Sequence, residues 1–271
     1  MNIIRLVILS LIFIYSTPLL AQSSNGAETP DTDINVWDNW RRPVEYVDFG
    51  LTSRGSTWDL KSIEVNGTSV ALISEPKTDF DWFTFGIGAG MAAVEGVSGS
   101  GTLRIGGAEE TGSGNGTTFP STDGTGADVV GRLTNTFIIS DDFATTTSRS
   151  LFGVEVGASL TLGLWQFEES GIKDELLEVT VQPEVNFVMA SAGSGYLIRP
   201  YIGFYIDIEL ERTIKEDPDT PPTDEVKADF DAEDVLGIQA GCQAFYNDLI
   251  FHFKVRLIHE TSFSFGIGMR I

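Results

Sequence analysis

The sequence predicts an all-β chain closed into a transmembrane, antiparallel, up-and-down β-barrel, and three observations carry that expectation. Apolar residues recur at the strand period of two through the second half of the chain. One face of each run is free of charge while the other is polar. The runs also exceed the roughly 5–6 residues usual in soluble strands.

The elements follow in order. Residues 81–91 and 129–139 form two weaker strands, the first with Phe83, Phe85, Ile87 and Ala89 on one face. Six cleaner ones follow, each with an apolar residue at nearly every second position: 152–164, 177–189, 196–210, 236–246, 249–257 and 263–271. No apolar-parity position in these six carries a charge, although 21% of the chain is charged. The intervening positions hold Glu155, Glu178, Glu184, Arg199, Asp207, Glu209, Lys254, Arg256 and Arg270. A soluble sandwich would turn its charged face to water. Long strands with one unbroken apolar stripe read instead as lipid outside and lumen inside, since about 9–11 tilted residues cross a bilayer.

Eight strands are therefore expected over 80–271. Connections 92–128, 167–174, 211–234 and 259–261 then fall at one end, with 140–150, 191–195 and 247–248 at the other. Both long connections share an end, as expected of extracellular loops. Tyr196 and Tyr246 meet at the opposite end, where an aromatic girdle belongs. Segment 22–79 is a separate N-terminal piece. Its Asn66-Gly67 is the signal of a tight hairpin over 57–75, which would raise the count to ten. Pro183 and Pro200 each remove a ladder hydrogen bond and are expected at bulges near the rim.

The first residues indicate export. Arg5 precedes an apolar stretch too short to span a bilayer as a helix, Pro18 interrupts it, and Leu20-Ala21-Gln22 offers a cleavage site. Residues 1–21 read as a signal peptide, and the absence of Cys at position 22 argues against a lipid anchor. The net charge of −22 excludes nucleic acid as a partner. With Cys242 as the single cysteine, neither a disulfide framework nor a multi-cysteine metal site can form.

The C-terminal stretch FSFGIGMRI resembles the closing strand of bacterial outer-membrane barrels, although it ends on Ile271 where that family usually has Phe. The likeness covers those nine residues closely and 80–271 by pattern. It implies the architecture of the small OmpA/OmpX-like group of porin-type barrels, without a following peptidoglycan-binding domain. It also implies residence in the outer membrane of a Gram-negative cell and insertion by the barrel-assembly machinery. Lipid and lipopolysaccharide are then the surrounding partners of a monomer.

Candidate chemistry is sparse. Glu155, Glu184, Arg199, Asp207, Glu209, Lys254, Arg256 and Arg270 are expected to form a mutually neutralising lumen network, because an eight-stranded interior is only wide enough for side chains to fill. Asp229, Asp231, Glu233 and Asp234 supply hard oxygen ligands, but without the spacing of a calcium loop, so a solvated acidic loop is the plainer reading. The Gly-rich stretch 96–126 lacks a Gly-Lys-Ser/Thr and reads as a mobile loop. His252 falls on the lumen stripe, and His259 with Ser262 does not match the His-x-Ser spacing of barrel deacylases. Neither an enzyme nor a cofactor is expected. The functional expectation is a plugged barrel that serves the envelope structurally or interacts through its loops. A passive pore for small solutes is the alternative and a lipid-modifying enzyme the third.

Overall fold

The computed structural model describes residues 43–70, 76–114, 117–118, 121–144, 149–169, 172–192, 195–217, 226–232, 235–258 and 260–271. The expected signal peptide lies outside them. Strands β1 (Val44–Val65), β2 (Thr68–Val70), β3 (Lys77–Ala92), β4 (Gly96–Gly114), β5 (Thr117–Thr118), β6 (Thr122–Ala144) and β7 (Arg149–Glu169) form the first half. The second half holds β8 (Ile172–Ala192), β9 (Tyr196–Ile206), β10 (Ile208–Asp217), β11 (Val226–Ala232), β12 (Leu236–Tyr246), β13 (Leu249–Leu257) and β14 (Glu260–Arg270).

Ten of these close a ring in the order β1-β14-β13-β12-β9-β8-β7-β6-β4-β3, with β3 returning to β1. Every pairing is antiparallel. The expected eight-strand ring is thus corrected to ten. The two additional members are β1 and β4. Strand β1 comes from the segment read as a separate N-terminal piece; its Asn66-Gly67 turn, with φ of 51° and 74°, joins it only to the three-residue flap β2. Strand β4 runs through the Gly-rich stretch read as a loop. Small residues give it little hydrophobic signal of its own, but β3 and β6 pair with it along almost its whole length.

Inserting β4 also reverses β3. Residues 93–95 form a tight turn at the end that carries both Val44 and Ile271 (the terminal end), so the 92 side of β3 is not at the long-loop end as expected. At this terminal end Tyr196 pairs with Tyr246, as the sequence predicts. The opposite end, or crown, has a different circuit. There β10 and β11 bridge β8 to β1, bypassing β9, β12, β13 and β14. The crown therefore closes through eight strands and the body through ten.

The prolines sit where the ladder changes partner. Pro183 lies between the β8 residues that pair with β9 and those that pair with β10, opposite the break at Asp207. Pro200 faces Met189 and Ala190, which the β8–β9 register skips. Both are in the wall and not at its rim, each beside an interruption of one flanking ladder.

Outward parity is as expected. Phe49, Phe83, Phe85, Ile87, Phe137, Ile202, Phe204 and Phe265 are all exposed on the outside. Toward the crown this apolar surface turns acidic on six neighbouring strands, at Asp59, Asp79 and Asp81, Glu109, Asp123, Glu168 and Glu175. Two apolar clusters fill the inside at different heights. The crown holds Trp58, Phe80, Trp82, Trp165, Phe167, Leu176, Ile214 and Phe230. Strand β6 presents Gly124 and Gly126 there, where a Cβ would meet Phe167 at 2.5 Å and the Trp165 ring at 2.8 Å. The terminal end holds Val44, Tyr46, Leu151, Leu197, Phe245 and Ile250, with three small or aliphatic neighbours on β3 and β8.

Candidate functional site

Between the two apolar layers lies a polar chamber. Even-numbered positions of β1 and β4 and odd-numbered positions of β7 place their side chains inward, so charges on that parity face one another across the interior. The charges consequently pair. Arg54 makes a bidentate contact with Glu178 at 3.1 and 2.7 Å, and its guanidinium stacks 3.8 Å above the Trp82 ring. Arg104 grips Asp128 through two hydrogen bonds of 2.6 and 2.7 Å. Arg132 donates to Glu155 at 2.6 Å and also to Glu184. Arg199 donates to the other oxygen of Glu155 and, at 2.6 Å, to the Thr136 hydroxyl.

Amides extend the network. Gln239 donates to Glu184 and Asn186, each at 2.7 Å, and Asn186 donates to Glu155 at 3.1 Å. Gln182 donates to Asp207 at 3.0 Å while accepting from Arg256 at 2.7 Å and Ser159 at 3.2 Å. Arg256 also lies 3.6 Å from Glu260 and over the Tyr205 ring. His252 stands 3.3 Å from Asp48. These groups line a cavity of about 220 Å³.

Of the predicted lumen residues, Glu155, Glu184, Arg199, Asp207, Lys254 and Arg256 are brought together here. Glu209 is half-buried on β10, beyond the Asp207 break. Arg270 is a correction: it is exposed at the terminal rim, because β14 ends there and its inward parity no longer faces a lumen. Sequence reasoning missed Arg54, Arg104, Asp128 and Arg132 as members, together with Glu260. Arg54, Arg104 and Asp128 fell in segments not assigned as strands. Arg132 did carry a signal, being a charge on the inward parity of a strand already assigned.

The acidic candidates hold no cluster. Asp229 accepts from Thr213 at 2.8 Å and from Ser62 at 3.2 Å, with Lys227 3.2 Å away. Partial burial pushes its carboxyl up, but the hydrogen bonds from Thr213 and Lys227 outweigh that and leave it below the ordinary carboxylate range. Asp231 lies on β11 opposite Asp59, while Glu233 and Asp234 fall outside the described residues. Among the described residues no group of three or more His, Cys, Asp or Glu is placed to hold a metal ion. His259 is outside the described residues, and Ser262 is buried on the inward face. Cys242 lies half-buried on the outward parity of β12.

No family model matches the chain, and no curated protein does either. Among solved structures, the transport unit of the autotransporter AIDA-I from Escherichia coli is 7% identical, with 95% of this chain and 97% of that one covered and a TM-score of 0.44. The outer membrane protein OprG from Pseudomonas aeruginosa is 10% identical over 85% and 97%, with a TM-score of 0.41. The Pseudomonas putida toluene transporter TodX is 8% identical over 83% and 87%, at 0.28.

Proposed function

We propose that this chain is an outer-membrane β-barrel with a plugged lumen, a non-enzymatic protein that serves the envelope structurally or through contacts at its crown. One observation carries the reading: a ring with an apolar outer surface encloses a polar interior that is capped by apolar side chains at both ends. An apolar exterior of this extent is costly in water and stable in lipid, where only closed sheets and helices satisfy their backbones. The acidic border at Asp59, Asp81, Glu109 and Glu168 marks where strands leave the hydrocarbon, so the crown projects outward and both described chain ends lie on the periplasmic side. The narrower eight-strand circuit explains the cap, since that width is filled by side chains alone.

The mature protein should sediment with outer membranes and require detergent for extraction; recovery as a soluble periplasmic monomer would refute the proposal. Reconstituted in planar bilayers, it should show no steady conductance. A passive pore remains the second reading because the body has ten strands around a 220 Å³ chamber. A stable, ion-selective channel whose selectivity shifts in Arg256→Ala would establish that reading instead. Orientation has its own check. Protease added to intact cells should cut between Asp217 and Val226, the crown ends of β10 and β11, and spare Asn247-Asp248. Cleavage at the latter alone would invert the barrel.

A further inference from the structure

The chamber presents more positive than negative charge, although its carboxylates and cations nearly balance overall. Arg54, Arg104, Arg132, Arg199, Lys254 and Arg256 line it, against the carboxylates Asp48, Glu155 and Glu260. The difference arises from where the partner carboxylates sit. Asp128, Glu178 and Glu184 are buried in the wall behind their arginines and do not line the cavity. A small solute inside would therefore touch cations first, and the nearest charges dominate at contact distance.

Two cations on β13, Lys254 and Arg256, have donors to spare, as Arg199 does at its Nε. The Lys254 ammonium is 3.8 Å from Glu184, beyond hydrogen-bond length, and Glu184 already accepts from Arg132 and Gln239. Arg256 gives Nη1 to Gln182, but its Nε is buried without a partner. The two are separated by one residue on β13, so both project into the chamber. Like charges held side by side in a confined space disfavour one another unless an anion lies between them. Hydroxyls stand in the same lining: Ser262, and the Thr52–Ser264 pair 3.1 Å apart. Of the three lining carboxylates, Glu155 and Asp48 leave these donors alone, whereas Glu260 engages Ser262 and Arg256. Glu155 is taken by two arginines and Asp48 faces His252, while Glu260 accepts from Ser262 and lies 3.6 Å from Arg256, leaving Lys254, Thr52 and Ser264 outside its reach. The cavity has room, since about 30 Å³ per water makes it equivalent to several waters.

We propose that the chamber is a binding site for a small oxyanion of the phosphate class, held by Lys254 and Arg256 with Ser264 and Thr52 as neutral donors. Cationic donors and hydroxyls converging on one point are what a tetrahedral anion requires. The site goes beyond the plugged-barrel reading and would exist whether or not the lumen conducts.

The test uses inorganic phosphate as probe. Protein is refolded into detergent micelles with increasing phosphate, chloride holding the ionic strength constant, so that entry through the capped ends is not limiting. Equilibrium dialysis with labelled phosphate should give one site per barrel, and the unfolding midpoint should rise saturably. Lys254→Met, which keeps the side-chain stem, should weaken binding by about tenfold or more, about 1.4 kcal/mol. If that variant does not fold, Ser264→Ala supplies the second measurement and should weaken binding measurably while leaving the fold intact. Wild-type protein that binds no labelled phosphate, or whose midpoint follows ionic strength alone, overturns the proposal. So does unchanged affinity in the folded Lys254→Met or Ser264→Ala protein.

Discussion

Glu155→Ala should cost the barrel about 3–5 kcal/mol, the usual penalty for stranding a buried charge by deleting its partner. Glu155 is 1% exposed and accepts hydrogen bonds from Arg132, Arg199, Asn186 and, at 3.4 Å, Thr136. Arg132 would retain Glu184, but Arg199 would keep only the Thr136 hydroxyl, and its Nε is already buried without a partner. Glu155→Gln should cost less, since it keeps an acceptor and loses only the charge. Denaturant titrations of refolded barrels measure both, and the double variant with Arg199→Met isolates the pair's coupling. A cost below about 1 kcal/mol for Glu155→Ala would mean that chamber water solvates Arg199 nearly as bulk water does. That outcome would move the balance toward the pore.

On the proposed membrane placement, Phe204→Arg should be destabilising by about 2–4 kcal/mol, the cost of a charge on a lipid face near the bilayer midplane. Phe204 is 52% exposed on the outer surface of β9, flanked on the same face by Ile202 and Ile206. The adjacent Gly203 provides the contrast, because it points inward. A Cβ there would stand 2.2 Å from the Val185 carbonyl oxygen and 2.7 Å from the Asn186 Cα, so even Gly203→Ala must push β8 away. The two neighbours should fail for different reasons. Phe204→Arg should recover in a polar environment such as a short-chain detergent, while Gly203→Ala should be defective in every lipid. If Phe204→Arg folds with wild-type stability in bilayers, the outward face of β9 does not meet lipid.

By itself the sequence determined the sheet, the faces and most of the lumen chemistry. Within the six runs from 152 onward nearly every second residue is apolar, and a one-residue shift would move the whole set to the other face, so register and inside-outside assignment are overdetermined there. Glu155, Glu184, Arg199, Lys254 and Arg256 could be placed inside on parity alone. What only the tertiary structure decided is the number of strands and hence the pairing of those charges. Strand β4 has Gly99 and Gly107 opposite Met91 and Phe83 of β3, so it is a strand because β3 and β6 flank it and not because of its own residues. Strand β1 likewise alternates weakly, with Ser53, Gly55 and Thr57 on its outer parity above Leu51, yet it closes the ring between β3 and β14. Without these two strands Arg54 and Arg104 had no assigned face, the direction of β3 was reversed, and Arg270 remained in a lumen it does not enter. Arginine and carboxylate partners such as Arg54 and Glu178 are 124 positions apart in the chain. No local pattern encodes a contact of that span; it exists because ring closure brings β1 and β8 to face one another across the interior.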